Sequence, residues 1–422
     1  MRARGLGSVV VLALVAACAS QAPPPSDEHP TTRPLRAPLV PPERALAGGA
    51  GTERFMPSLM NVVVARKDTG TVLTDTETCS GCHTDVAAMW RTSAHAFGSF
   101  NNPIYRASVD RFRREKGETT SRWCGGCHDI ALTSDTAMDG PVEAKEPRAH
   151  GGITCRTCHG ISNARADGDG SYDLDATLMP IPKDGDAASV VLHKQKAALA
   201  PLRTAALCTT CHRVFLDEAS GNAHHLPGQD DATPWARSAY AASLSERIDE
   251  PVPERDCKSC HMAKEDAKLG DVAAKNGKIA SHRFLGAHTW LASMRGDADT
   301  LARVKAFLAG IASIDVSAVR TPRGRTFPAD GATLERGDDV VLGITLRNRS
   351  VGHRFPGGVV DAADAWVEVT VDDAHGRRIA EAGTHHDVDP EDETAHVLRA
   401  TLLDDKGVPV RARETDRFRA VV

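Results

Sequence analysis

The sequence predicts a mainly α-helical and irregular domain, residues 54–296, followed by an antiparallel, sandwich-like all-β domain, residues 316–422. In the first part, short helical patterns alternate with long loops rich in Gly and Asp, and one five-residue cysteine motif recurs among them. From about residue 316, apolar residues alternate with a period of two, which is typical of half-buried strands. Residues 297–315 are predicted to form a connecting helix, because apolar side chains fall on one stripe there.

Five copies of the pattern Cys-x-x-Cys-His use ten of the eleven cysteines. This is the attachment pattern of haem c, in which two thiols add to the vinyl groups of one porphyrin and the next imidazole binds its iron. We therefore predict five covalently bound haem c groups. Their thioether bonds would be made by Cys79, Cys82, Cys124, Cys127, Cys155, Cys158, Cys208, Cys211, Cys257 and Cys260, and their proximal iron ligands would be His83, His128, His159, His212 and His261.

Two other uses of paired cysteines fit the pattern less well. Cys-x-x-Cys units occur in structural zinc sites, but zinc leaves the His after every second cysteine unexplained. Disulfides suit an exported protein, but five gaps of two residues are poorly placed to link distant segments. Haem attachment accounts for both the spacing and the histidines.

The N-terminus resembles a lipoprotein signal peptide. A positively charged start and a short apolar run end in Leu14-Val15-Ala16-Ala17-Cys18, which is similar to a bacterial lipobox. We predict a signal peptide over residues 1–17, a lipid on Cys18, and a Pro-rich tether over residues 18–53. Because residue 19 is not Asp, lipoprotein sorting patterns imply an outer-membrane anchor that faces the periplasm or the cell surface. A net charge of −5 gives no indication of nucleic-acid binding.

Local patterns predict further elements. A short hairpin is expected over residues 59–73, and helices are expected over residues 84–91, 102–116, 190–207, 234–248 and 297–312. Strands are expected over residues 340–346, 365–371, 396–402 and 418–422. The sequence stops within the last of these strands, so we expect either a terminal strand or further strands beyond it.

The residue that fills the sixth position of each iron decides between electron transfer and catalysis. Six histidines outside the motifs are the candidate distal ligands. His95 lies at a helix end, His150 precedes two glycines that let backbone approach a porphyrin, and His193 lies on a helix. The other three are His282 and His288, in one short segment, and His353, in a tight loop after a strand.

These residues resemble the cytochrome c-554-like class of bacterial multihaem cytochromes c, which is related to the hydroxylamine oxidoreductase and pentahaem nitrite reductase superfamily. The resemblance covers about residues 75–422. Besides the cysteine motifs, it depends on Trp90-x-x-Ser93-x-His95, Ile153-Thr-Cys155-x-x-Cys158-His159-Gly160, Ser281-His-Arg-Phe284 and Gly352-His-Arg-Phe-Pro356. It implies closely packed haems and distal ligation by His95, His282 and His353.

All five motifs end in His, whereas the nitrite reductases of that superfamily carry a Cys-x-x-Cys-Lys motif. We therefore predict an electron carrier between periplasmic or membrane redox proteins. The alternative is an oxidoreductase in which one haem has an open site for a small nitrogen or oxygen species.

Overall fold

The computed structural model describes residues 52–241, 252–410 and 414–422. The predicted signal peptide, Cys18, nearly all of the tether and the second half of the helix predicted over residues 234–248 lie outside these ranges. Within them, no helix has the length and apolar composition needed to cross a membrane.

The α-helices of the described ranges are short, and most lie in the first two-thirds of the chain. In chain order they are α1 (Thr69–Thr74), α2 (Glu77–Ser80), α3 (Thr84–Arg91), α4 (Pro103–Lys116), α5 (Arg122–Gly125), α6 (Ile130–Ser134), α7 (Cys155–Gly160), α8 (Ala187–Ala197), α9 (Ala206–Thr209), α10 (Ala232–Ala236), α11 (Cys257–His261), α12 (Thr289–Met294) and α13 (Ala298–Leu308).

The strands form several small sheets. They are β1 (Asn61–Val64), β2 (Ile161–Ala164), β3 (Tyr172–Asp175), β4 (Arg213–Leu216), β5 (Leu226–Asp230), β6 (Lys264–Asp266), β7 (Lys278–Ala280), β8 (Ala312–Thr321), β9 (Gly324–Thr326), β10 (Val341–Asn348), β11 (Ala365–Val367), β12 (Val369–Asp372), β13 (Arg378–Ala382), β14 (His396–Leu398), β15 (Leu402–Leu403) and β16 (Ala420–Val421).

The first part of the chain contains one three-stranded sheet and two hairpins. The sheet has the order β1-β3-β2, with β1 parallel and β2 antiparallel to β3. The hairpins β4–β5 and β6–β7 follow the fourth and fifth cysteine motifs directly. Because the two strands of each hairpin are antiparallel, the second strand brings the chain back beside the cysteine motif that precedes the hairpin.

The C-terminal part is antiparallel, as predicted. Its sheets are β10-β8-β9, β11–β14, β12–β13 and β15–β16. In the described residues, the domain predicted to be sandwich-like consists of one three-stranded and three two-stranded sheets.

This C-terminal part packs against the first part. Leu402, Val410 and Phe418 share a buried cluster with Leu216 of β4, and Trp123 packs against it. The amide of the buried Asn222 donates to the carbonyl oxygens of Thr415 and Phe418. The last strand pair is therefore part of the core around the fourth motif.

Several local predictions differ from the structure. The helix predicted from residue 234 ends at Ala236, the strand predicted over residues 365–371 is divided between β11 and β12 in different sheets, and the end of the predicted connecting helix belongs to β8.

Residues 59–73 form no hairpin, since β1 pairs with the distant β3 and the second arm folds as α1, with Leu73 buried against α6 residues. Short apolar runs fit a strand or a helix equally, and here tertiary packing selects the helix. The helix predicted over residues 190–207 ends at Ala197, because Pro201 opens a separate 3-10 turn. The strand predicted over residues 396–402 is interrupted and contributes to two sheets.

Candidate haem-binding sites

A single helical turn positions each cysteine motif. The His83 amide donates to the Cys79 carbonyl at 3.0 Å, and the His212 amide donates to the Cys208 carbonyl at 2.9 Å. In a helical turn, residues at i, i+3 and i+4 lie on one face, which brings both thiols and the imidazole to the same side. Side-chain caps begin two of these turns: Thr154 accepts the amide of Thr157, and Asp256 accepts that of Ser259.

Three motif histidines each have a second imidazole opposite them. Ring centroids lie 6.1 Å apart for His83 and His193, 6.2 Å for His95 and His212, and 6.1 Å for His261 and His353. Two imidazoles on opposite sides of one metal ion lie about 6 Å apart, because each metal–nitrogen bond is about 2.0 Å long and each ring centre lies about 1.1 Å further out. The spacing of these pairs fits a single iron between the rings.

The Nδ1 atoms of the ligand candidates are held by the protein. Metal-binding histidines usually donate their second ring N–H to a carbonyl or carboxylate, which fixes the tautomer and leaves Nε2 for the metal. Here the Nδ1 atoms of seven of the predicted ligands contact an acceptor oxygen, namely Asp271 Oδ1 for His83, Gly98 O for His128, Ala197 O for His159, Pro180 O for His193, Leu285 O for His261, Ala280 O for His282 and Arg354 O for His353.

The fourth motif has a different partner arrangement. The side-chain amide of Gln229 lies 3.1 Å from Nδ1 of His212 and also donates to Asp231 at 2.9 Å. The other Asp231 oxygen accepts the Gly358 amide at 3.1 Å and lies 3.9 Å from Nδ1 of His353. Asp231 thus lies between imidazoles that belong to two different motif sites.

Burial keeps most of these imidazoles in the neutral form that binds metal. It lowers the pKa of His95 to about 3, and the nearby His212 lowers it further. For His212 itself, burial acts to lower the pKa, but the hydrogen bond and charge of Asp231 outweigh it and raise the pKa. Burial also lowers the pKa of five more ligand candidates, His128, His159, His261, His282 and His288.

The remaining ligand candidates, His282, His288 and His150, differ in what their ring nitrogens contact. Burial lowers the pKa of His282 against the hydrogen bond to the Ala280 carbonyl, and the nearby His159 lowers it further. The Nε2 atom of His288 is buried and lacks a hydrogen-bond partner in the described ranges, so it is available for a metal. His150 differs, because its Nε2 contacts the carbonyl of Ala144, and this contact uses the nitrogen that an axial ligand needs.

The second motif has an aromatic neighbour. The ring of Tyr105 stacks on that of His128, with centroids 4.3 Å apart and planes inclined by 20°. The Tyr105 hydroxyl donates to Asp129 Oδ2 at 2.5 Å. Burial raises the pKa of Asp129 to about 7 against the opposing hydrogen bond of Tyr105, and burial also raises the pKa of Tyr105. Within the described ranges, no second imidazole faces His128 at the 6 Å spacing.

The motif thiols contact one another in a definite order. Cys79 of the first motif contacts Cys155 of the third. Cys211 of the fourth motif contacts Cys127 of the second and affects Cys158 of the third electrostatically. The other fourth-motif thiol, Cys208, contacts Cys257 of the fifth. The fourth motif therefore adjoins three others, and the first motif lies at one end.

The chemistry of the donor set fits covalently bound haem c. The ten described motif cysteines are free thiols, so both sulfur atoms of each motif are available for thioether bonds. Each of the three paired sites also offers two imidazoles at the spacing that one iron requires.

Four residues that support this arrangement escaped the sequence analysis. Asp271, Gln229 and Asp231 contact imidazoles from loops and hairpins, and Tyr105 stacks on one from α4. None lies within a recognisable motif. A sequence signal was available for one of these regions. A hairpin that directly follows a cysteine motif brings the chain back beside that motif, so the end of β5 lies beside His212.

Comparison with known proteins supports the same class. Residues 78–160 match the family described as cytochrome c554 and c-prime. Curated protein sequences gave no match. The matched segment spans the first three cysteine motifs, and it supports their interpretation as attachment sites of a multihaem c-type cytochrome.

Among solved structures, the chain is similar to a penta-heme cytochrome c552 from Thermochromatium tepidum. The TM-score is 0.50, the sequences are 18% identical, and the match covers 83% of each chain. At this identity the likeness shows the fold.

Proposed function

We propose that this protein carries five haem c groups and passes electrons between periplasmic or membrane redox proteins. One observation carries the proposal: three motif histidines face a second imidazole at 6.1–6.2 Å. An iron held on both sides has no free position for a substrate, and this arrangement favours electron transfer over chemistry on a small molecule.

The contacts among the motif thiols support transfer along the protein. Thiols of the first and third motifs contact each other, as do those of the second and fourth and of the fourth and fifth, and Cys211 of the fourth lies near enough to Cys158 of the third to help raise its pKa. Porphyrins attached at such neighbouring thiols would lie close to one another. Haem c supplies reversible one-electron chemistry when bound. The chain supplies spacing, paired imidazoles and burial.

The anchored Nδ1 atoms support a rigid electron carrier. His193 is fixed by the Pro180 carbonyl at 2.7 Å, and His353 is fixed by the Arg354 carbonyl at 2.8 Å. Because each ring is held in one tautomer and one orientation, ligation needs little rearrangement when the iron changes oxidation state.

Electron paramagnetic resonance on the oxidised, fully loaded protein tests this function, with cyanide added afterwards. We expect low-spin signals from the three paired sites, unchanged by cyanide. Cyanide binding at His83, His212 or His261 sites would overturn the proposal, since the paired imidazoles would then leave a position open.

The second motif supports one alternative. The ring of Tyr105 stacks on that of His128. In the described ranges, no second imidazole faces His128 at the spacing of the three pairs. An iron bound there would be open on its other side and could act on a small nitrogen or oxygen species. A high-spin signal that shifts with nitric oxide and disappears in the Cys124→Ala/Cys127→Ala variant would favour this reading.

We further propose that Cys18 carries a lipid that holds the protein at the outer membrane. The proposal rests on the lipobox-like segment, which lies outside the described residues. Cys18→Ala should move the protein from the membrane fraction to the soluble periplasmic fraction. Continued membrane association of that variant would exclude the anchor.

A further inference from the structure

The proximal histidines differ in what holds their Nδ1 atoms. His128, His159 and His261 contact backbone carbonyl oxygens at 2.6, 2.8 and 2.6 Å. His83 instead contacts a carboxylate, Asp271 Oδ1, at 3.1 Å. In the described ranges, no other proximal imidazole has a carboxylate oxygen this close, since Asp231 lies 3.6 Å from His212.

Asp271 is fixed in place by the backbone of two segments. Its side chain has no solvent exposure. Oδ2 accepts the Val86 amide at 3.2 Å, and Oδ1 accepts the Ala273 amide at 2.9 Å as well as facing His83. The carboxylate therefore cannot turn away from His83 without breaking contacts to both α3 and its own loop.

A second buried carboxylate holds the loop that carries Asp271. Asp85, in the first turn of α3, accepts backbone amides of Lys268, Leu269 and Asp271 at 2.7–3.2 Å. The Val272 amide also donates to the carbonyl of Cys82 at 3.3 Å. The loop between β6 and β7 is thus fastened directly onto the first cysteine motif.

A carboxylate affects a ligated imidazole more strongly than a carbonyl does. It draws the Nδ1 proton further away, which makes Nε2 a stronger donor to the metal. Its negative charge, in a buried and weakly screened place, also disfavours adding an electron nearby. Both effects stabilise the oxidised iron, and hydrogen bonding and burial are recognised means of setting haem potentials.

We propose that Asp271 is a positioning residue that lowers the reduction potential of the haem c attached at Cys79 and Cys82. The inference rests on the proposed haem loading of that motif. Because the first motif lies at one end of the contact order, Asp271 would act on the potential at that end.

Asp271→Asn in the fully loaded protein tests this proposal. The substitution keeps the size of the side chain and removes its charge. Spectroelectrochemical titration should show one haem component shifted to a more positive potential, with the others unchanged. The shifted component is identified by its absence from the Cys79→Ala/Cys82→Ala variant.

Asp266→Asn is the matched control. Asp266 lies on β6 of the same hairpin, and its exposed carboxylate pairs with Lys278 at 2.5 Å. We expect all potentials to stay as in the unmodified protein. Equal shifts in both variants would overturn the proposal, because a general charge effect would then explain them.

Unchanged potentials in a fully loaded Asp271→Asn protein would also overturn it. If that variant loads haem poorly, Asp85→Asn provides a second test, because it weakens the fastening of the loop while retaining Asp271. The same component should then shift in the same direction, and no shift would reject the proposal. Haem content, measured separately, tests the proposed function, so the two failures are distinguishable.

Discussion

His353 faces His261 with 6.1 Å between ring centroids, and the two planes are inclined by 16°. His261 ends the fifth cysteine motif, whereas His353 lies in the C-terminal, strand-rich part. The loop that carries His353 is held by Asp231, which accepts the Gly358 amide at 3.1 Å. The C-terminal part therefore contributes an imidazole to the fifth candidate site as well as side chains to the core.

Replacing His353 should open the fifth motif site. In His353→Ala, we expect one iron to change from low-spin to high-spin, because its second imidazole is lost. The electron paramagnetic resonance spectrum measures this change. His385→Ala is the control, since His385 is an exposed residue of the same part that pairs with Glu381. An unaltered spectrum of His353→Ala would show that the C-terminal part only packs against this site.

Haem content should follow the motifs one by one. The pyridine haemochrome assay should give five haems for the intact protein and four for Cys257→Ala/Cys260→Ala, because each motif attaches one porphyrin. Met262→Ala, directly after this motif, should retain five. A colourless protein from a host that matures c-type cytochromes would contradict the assignment.

The protein should lose stability in mild acid. Burial lowers the pKa of His95 to about 3 from an ordinary value of 6.5. Between these values the unfolded chain binds a proton that the folded chain does not, so the free energy of unfolding falls as pH falls below 6.5. In this pH range, one such group lowers the free energy of unfolding by about 1.4 kcal/mol for each pH unit.

Denaturant unfolding at pH 7, 6 and 5 measures this effect. His385→Ala should show the same dependence, because His385 is exposed in the folded protein. A free energy of unfolding that stays constant or rises towards pH 5 would show that the buried imidazoles do not carry this penalty.

Asn222 should contribute to the attachment of the C-terminal strand pair. Its buried amide donates to Thr415 and to Phe418, and its oxygen accepts the His224 amide at 2.8 Å. Asn222→Ala leaves these groups without their partner and should destabilise the protein by about 1–3 kcal/mol. Thermal unfolding measures the loss.

Asn348→Ala is suited as a control for Asn222→Ala. Asn348 makes similar backbone hydrogen bonds, both to Val351, but they are exposed to solvent. We expect a smaller loss there. Equal losses of stability in the two variants would mean that burial does not increase the contribution of the Asn222 hydrogen bonds.

Local elements with strong end signals were predicted well. The helix expected over residues 84–91 is α3, and the helix that begins after Asn102 is α4, with Asn102 capping it and Pro103 in its first turn. Helix α13 lies within the predicted connecting helix. By contrast, residues 59–73 carry no such signals, and their structure depends on β3 and α6, which lie far along the chain.

The sequence by itself determined the chemistry of attachment. Spacing within five residues places two thiols and one imidazole on a single helical turn, and this needs no distant contact. The antiparallel character of the C-terminal part followed in the same way from alternation along each strand.

Only the tertiary structure decided which imidazoles meet and what holds them. The pairing of His83 with His193, the contact of Asp271 with His83, and the position of Asp231 between His212 and His353 join residues far apart in the chain. Such contacts depend on how loops and hairpins pack in three dimensions. Local periodicity carries no information about that packing, because it describes only which face of an element is apolar.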